Sequence, residues 1–200
     1  MYLDCVKQDY SDKPKERQQE YIDRDKRNLA SIVQLRIASD ISNIVDRWYK
    51  LDDIGYIPDE EKFLYLLKEA EELYSFSYYT GTISIIGIAA EEYCRYLMQK
   101  SHLTDVDEQC TRINILYKNH VIDKKSSSAF HTIRLLRNKC VHYTTDFKNF
   151  SENQLEHSAY EMICSFKLCI KPLASSPVNY CDLSKKTLAL KETSFREFIY

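Results

Sequence analysis

The chain has 200 residues, 44% of them hydrophobic, enough for one sizeable core or a core with an appended tail. Its 28 basic and 30 acidic side chains leave a formal charge of -2, which argues against a broad electrostatic wrap around DNA but allows a local Lys/Arg patch on RNA. Three glycines and four prolines are few interruptions, and Leu, Ile, Glu, Lys, Tyr and Ala recur in long periodic segments, so an all-α chain is expected, a compact antiparallel bundle of about five helices.

Residues 1–26 read as a polar N-terminal segment, with a turn at Tyr10, Ser11, Asp12, Lys13 and Pro14. The first helix is expected from Arg27 or Asn28 toward Lys50, with an apolar stripe of Ile32, Leu35, Ile37, Ala38, Ile41, Ile44 and Val45; Asp52, Asp53, Ile54 and Gly55 break it. Pro58, Asp59, Glu60 and Glu61 put proline and negative charge at the next helix start, where backbone amides are exposed. Phe63, Leu66, Leu67, Ala70, Leu73 and Tyr74 then recur at spacings of three or four, so one face is expected to be buried.

A third helix is expected after Thr82 or Ser84, carrying Ile85, Ile86, Ile88, Ala89, Tyr93, Leu97 and Met98; Gly87 and the alanines Ala89 and Ala90 are small enough to permit a close backbone approach, although size alone does not establish one. A shorter helix over 106–118 and a polar linker at Asp123, Lys124, Lys125, Ser126, Ser127 and Ser128 lead to a helix from Ser127 or Ser128 through Phe130, Ile133, Leu136 and Val141. The last helix runs from Glu152 to Lys171 on Leu155, Ala159, Met162, Ile163, Phe166 and Ile170, and Pro172 stops it. Residues 175–200 lack such continuity and read as a C-terminal tail or short packing helix.

The seven cysteines, Cys5, Cys94, Cys110, Cys140, Cys164, Cys169 and Cys181, form no CxxC pair, and no N-terminal segment looks like a secretion signal. A reduced, cytoplasmic protein is expected. Its apolar runs are broken before they reach membrane-spanning length, so no membrane partner is expected. His102, His120 and His157 have no neighbours at metal-ligand spacing, and neither a metal nor another cofactor is expected.

The chemistry concentrates in Arg137, Asn138, Lys139, Cys140, Val141, His142 and Tyr143. A guanidinium binds a phosphate through its planar fork, and an imidazole moves protons near neutral pH. On an undistorted helix, Arg137 and His142 stand about 140° apart, so they meet only at a helix end, at a bend, or where two copies join. Asn138 and His142 are nearly aligned, so Asn138 can orient the imidazole or contact a ribose or base. Such groups can promote attack by the 2'-hydroxyl of RNA without metal, with Tyr143 or a second copy's histidine completing proton transfer. On residue chemistry alone, an arginine salt bridge beside a helix-end histidine accounts for the same pattern. Glu91 can orient Arg137 or His142, or simply pair with Arg95 one turn on. Arg134, one turn before Asn138, and Lys139 can extend a phosphate-binding surface, or serve as ordinary solvated positions. Most of the tyrosines are expected to pack between helices rather than contact bases; Tyr143, which follows His142 and can orient substrate, is the exception.

The run from Arg137 to His142, an arginine, a polar residue, three further residues and a histidine, resembles the signature of the HEPN superfamily. Its late position in a helical chain, after a helix like that of Ile85 to Met98, is similar to that family too, over residues 28–174. The resemblance implies a helical bundle that dimerises, a metal-independent endoribonuclease with Arg137 and His142 in the two catalytic positions and Asn138 in the polar one, and RNA as substrate. It also implies an alternative, a catalytically inactive RNA-binding or regulatory subunit beside an antitoxin, a nucleotidyltransferase or a nuclease, in toxin–antitoxin or phage-defence settings. A purely structural interaction module is a third possibility.

Overall fold

The computed structural model describes residues 8–55, 57 and 61–174, and these divide between two units, one within 1–46 and one within 47–200. The expected helix start at Pro58, Asp59 and Glu60 and the tail at 175–200 lie outside the described residues. The described residues hold seven α-helices and no strand, more than the five or so expected.

The first unit is almost entirely one helix. The turn forms where the sequence places it, Lys13 N–H donating to Tyr10 O at 3.0 Å, and helix α1, Lys15–Tyr49, follows directly on Pro14 instead of starting near Arg27. The polar stretch hid it because residues 15–26 form a charged, solvated helix face, with pairs such as Gln19 to Asp23 one turn apart at 2.8 Å. The apolar stripe also behaves differently from a core-facing one. Within residues 15–46 only Ile44 is buried, while Ile32 and Leu35 are 63% and 71% exposed. Val33, Ile37, Ile41, Ile44 and Val45 fall within about 120° of one another around the helix, while Ile32 and Leu35 stand off that face.

The second unit contains α2 (Lys62–Ser75), α3 (Tyr79–Lys100), α4 (Gln109–Lys118), α5 (Lys124–Val141), α6 (Thr145–Lys148), α7 (Glu152–Ile170) and a closing 3-10 turn, Lys171–Leu173, around Pro172. Helix α3 is the hub, touching α2, α4, α5 and α7. It starts earlier than Thr82 or Ser84 because those hydroxyls bond back to Tyr78 O and Thr80 O, at 3.1 and 2.9 Å, instead of capping. The expected linker at 123–128 is likewise the first turn of α5. Asp123 is its N-cap, accepting from Ser126 N–H at 2.7 Å. Helix α7 starts where expected, on a reciprocal capping box between Ser151 and Gln154.

Four helix ends use one device. After the C-terminal caps of α2, α3, α4 and α5, the next residues Ser77, His102, His120 and Tyr143 take positive φ angles of 64°, 53°, 56° and 45°. The residue beyond each donates back five positions: Tyr78 to Leu73 O, Leu103 to Met98 O, Val121 to Leu116 O, Thr144 to Lys139 O. These are Schellman closures built without glycine.

Tyr93 of α3 lies at the centre of the core, its ring 4.8 Å from Phe63, 6.1 Å from Phe130 and 6.1 Å from Phe166, so α2, α5 and α7 converge on it. Burial raises its phenol pKa. Tyr74 and Tyr79 are buried beside Tyr160, whereas Tyr49, Tyr65 and Tyr78 are exposed. The five described cysteines are free thiols; burial pushes Cys94 up to about 12 and Cys169 up to about 11. No described helix is long and apolar enough to cross a membrane.

Ile163 is fully buried on the core face of α7. Ile163→Ala is expected to lower the unfolding free energy by about 2–5 kcal/mol. Urea melts check this, and a loss well under that range would contradict a tightly packed α7.

Candidate functional site

The site begins with a glycine. Helices α3 and α5 run antiparallel, with Cys140 Sγ 3.6 Å from Thr80 O at one end and Phe130 against Tyr93 at the other. Between these points the stem of Arg137 lies directly on Gly87. A methyl group at position 87 would overlap Arg137 Cγ and fall 2.6 Å from its Cβ. The small residue therefore lets an arginine cross α3 at backbone distance.

From that seat the guanidinium reaches along α3. Arg137 Nη2 donates to Glu91 Oε2 at 3.1 Å, and Nη1 donates to Asn138 Oδ1 at 3.1 Å. The Arg137 side chain keeps 30% of its surface exposed. Glu91 also makes the local pair with Arg95: its other oxygen accepts from Arg95 Nη2 at 2.5 Å, one turn along α3. Arg95 also pairs with Glu92, and Lys62 stands 4.0 Å from the same Glu92.

A third arginine stands behind Glu91, and little in the residue order announces it. Arg112 of α4 is 1% exposed, with Nη1 4.0 Å from Glu91 Oε1. Its fork grips Asp105 at 2.7 and 3.3 Å, and further donors reach Gln109 Oε1 at 2.6 Å and Val106 O. Buried guanidinium charge requires such saturation. The available signal was phase: Arg112 stands one turn before buried Leu116 in a run with Ile113, so it falls on the inward face. Which acid meets it, seven residues upstream in a loop, is not periodic information. Beside Arg112, the carboxyl of Asp105 is held below its ordinary pKa.

His142 is placed differently. It is the exposed C-cap of α5, and the helix continues unbroken to Val141. With no bend between them, Arg137 and His142 remain about 140° apart around one helix. One chain thus joins Arg137, Asn138 and Glu91, and sets His142 on the neighbouring solvent face. Tyr143, exposed and left-handed, packs edge-on against Phe147 at 6.3 Å, with Lys148 Nζ 5.3 Å from its ring. Lys139 lies 3.6 Å from Asp146 on the surface. Arg134 is half-buried, its Nε shielded and without a hydrogen-bond partner. It opposes protonation of His131, whose pKa is lowered first by burial and then by this charge.

A groove of about 270 Å³ beside the start of α2, lined by Lys62, Phe63, Glu92, Arg95 and Tyr96, borders this charge network but includes neither Arg137 nor His142. Among the described residues no three His, Cys, Asp or Glu side chains are grouped as metal ligands. No protein-family model, curated protein or solved structure matches the chain.

Gly87→Ala is expected to destabilise the fold by about 1–3 kcal/mol, the range for overpacking. Much of that cost should vanish in an Arg137→Gly background, which removes both the Cβ and the Cγ that the methyl would meet; equal costs in both backgrounds, measured by urea unfolding, would rule out this seat. Asp105 provides a pH test. A carboxylate with a lowered folded pKa contributes stability that is complete above the unfolded value of 3.8 and is lost as pH falls through the folded value. Asp105→Asn should flatten the acid limb of a stability-versus-pH profile below about pH 5 and leave its slope near neutrality unchanged.

Proposed function

We propose that the chain is a metal-independent endoribonuclease with a HEPN-like bundle, cutting RNA at a site completed when two copies pair. One observation supports this reading above others: a half-exposed arginine, aligned by Glu91 and Asn138, shares a helix with an exposed imidazole, and the helix geometry withholds the two from each other in one chain. A second copy supplies what a single helix cannot. Exposed Ile88 and Val141, on the two helices that meet at Gly87, provide apolar surface for such pairing.

In this mechanism the 2'-hydroxyl oxygen attacks the adjacent phosphorus and the bond from phosphorus to the 5'-oxygen breaks, leaving a 2',3'-cyclic phosphate and a 5'-hydroxyl. Arg137 neutralises the charge that grows on the non-bridging oxygens. One copy's His142 takes the 2'-hydroxyl proton, and the other copy's histidine, or Tyr143, gives a proton to the departing oxygen. Asn138 orients the ribose or the imidazole, and Arg134 and Lys139 attract neighbouring phosphates. The chemistry needs no cofactor.

The existing Arg137–Glu91 pair favours a second reading, a catalytically inactive RNA-binding or regulatory subunit that works beside a separate antitoxin or nucleotidyltransferase. The two readings separate in one experiment. Purified protein in chelator should cut RNA to cyclic-phosphate ends, and R137A and H142A should each slow cleavage about a hundredfold or more. Mixing the two inactive variants should restore about a quarter of the activity where Tyr143 is the acid, because half of the randomly paired dimers then carry one intact composite site, and none where both histidines serve one site. Unchanged cleavage in both folded variants would reject the site; RNA binding without turnover would establish the regulatory reading.

A further inference from the structure

Charge is distributed unevenly along this chain. Residues 109–142, the α4–α5 hairpin, carry seven basic residues (Arg112, Lys118, Lys124, Lys125, Arg134, Arg137, Lys139) against one acid, Asp123, a net of +6. The remaining 166 residues carry 21 basic and 29 acidic side chains, a net of -8. Neither α4 nor α5 contains a carboxylate.

The exposed part of this charge is ordered. Lys124, Ser128, Leu135, Lys139 and His142 recur at helical spacing on the solvent side of α5, with Lys125 and Thr132 flanking them. At the far end, the α4–α5 turn adds exposed Tyr117, Lys118 and His120. Its one acid is engaged by the Ser126 amide. From Lys125 to His142 the helix extends about 26 Å.

We propose that this face is a track for single-stranded RNA, holding the backbone on one side of the bond to be cut and feeding it to His142. The proposal rests on the ribonuclease reading for its direction, but not for its chemistry. Spaced cations and hydroxyls along one helix match a chain with one charge per nucleotide, and Tyr117 gives an unstacked base a platform beside Lys118. The track is one helix wide, so it offers no grip on a second strand. An acidic protein is a poorer fit, because a protein interface needs an apolar centre and this face exposes only Leu135 and Tyr117 among its larger apolar residues.

The test uses the full chain carrying H142A, so that binding is read without cutting, and a fluorescent single-stranded RNA of about ten nucleotides. Replacing Lys118, Lys124 and Lys125 together with glutamine should weaken binding at least tenfold. It should also flatten the log–log salt dependence by about 2, at roughly 0.7 per lost phosphate contact. Unaltered urea midpoints verify that the triple variant is folded. Equal affinity and equal slope in parent and variant, or no RNA binding by the parent, would overturn the track. Polyglutamate competing as well as RNA would overturn the assignment to nucleic acid, and equal binding of a duplex would overturn the single-strand preference. Because cleavage is not measured, loss of the nuclease reading and loss of the track are separate results.

Discussion

The approach of Arg137 to Gly87 sets the geometry on which the other functional features depend. A side chain at position 87 would push α5 outward and move the guanidinium off α3. With glycine there, the arginine stem fills the contact, and its head arrives at Glu91 with a fixed direction. The same seating fixes the rotation of α5 about its axis. The side opposite Gly87 must then face solvent, and that side carries the cationic stripe ending at His142.

Glu91 links this contact to the rest of the charge network. Its two oxygens serve two arginines directly, and buried Arg112 adds a third positive charge at 4.0 Å. A carboxylate so surrounded resists rotation, because turning it strands at least one guanidinium. Rigidity at Glu91 passes to Arg137, whose proposed phosphate contact calls for alignment more than mobility. His142 is under the opposite regime, exposed at a helix end, with orientation left to whatever docks beside it. The two halves of the proposed site are thus built to different tolerances.

Much of this was legible from residue order. Periodicity located the bodies of α2, α3, α5 and α7, and α7 starts at Glu152 as expected. A contact from Glu91 to the motif was one of two alternatives, whereas Asn138, expected to orient the imidazole or contact RNA, accepts from Arg137. What stayed hidden has identifiable causes. Thr82, Ser84 and the serines at 126–128 look like caps or linker, yet hydroxyls in helices can satisfy themselves on a carbonyl one turn back. The early turns of α1 are charged on every side, so they lack the apolar period that announces a helix. The Arg112–Asp105 pair depends on how a loop folds back over α4, which no local pattern encodes.

The four left-handed helix terminators have a bearing on engineering. Non-glycine residues resist that conformation, and Ser77, His102, His120 and Tyr143 are held there by the closure of each helix end. Each such position is a small reserve of relievable strain. At Ser77 and His102, away from both the arginine cluster and the cationic hairpin, glycine would relax the backbone while leaving the chemistry alone. This protein can therefore be hardened against heat at its turns, without repacking a single core side chain.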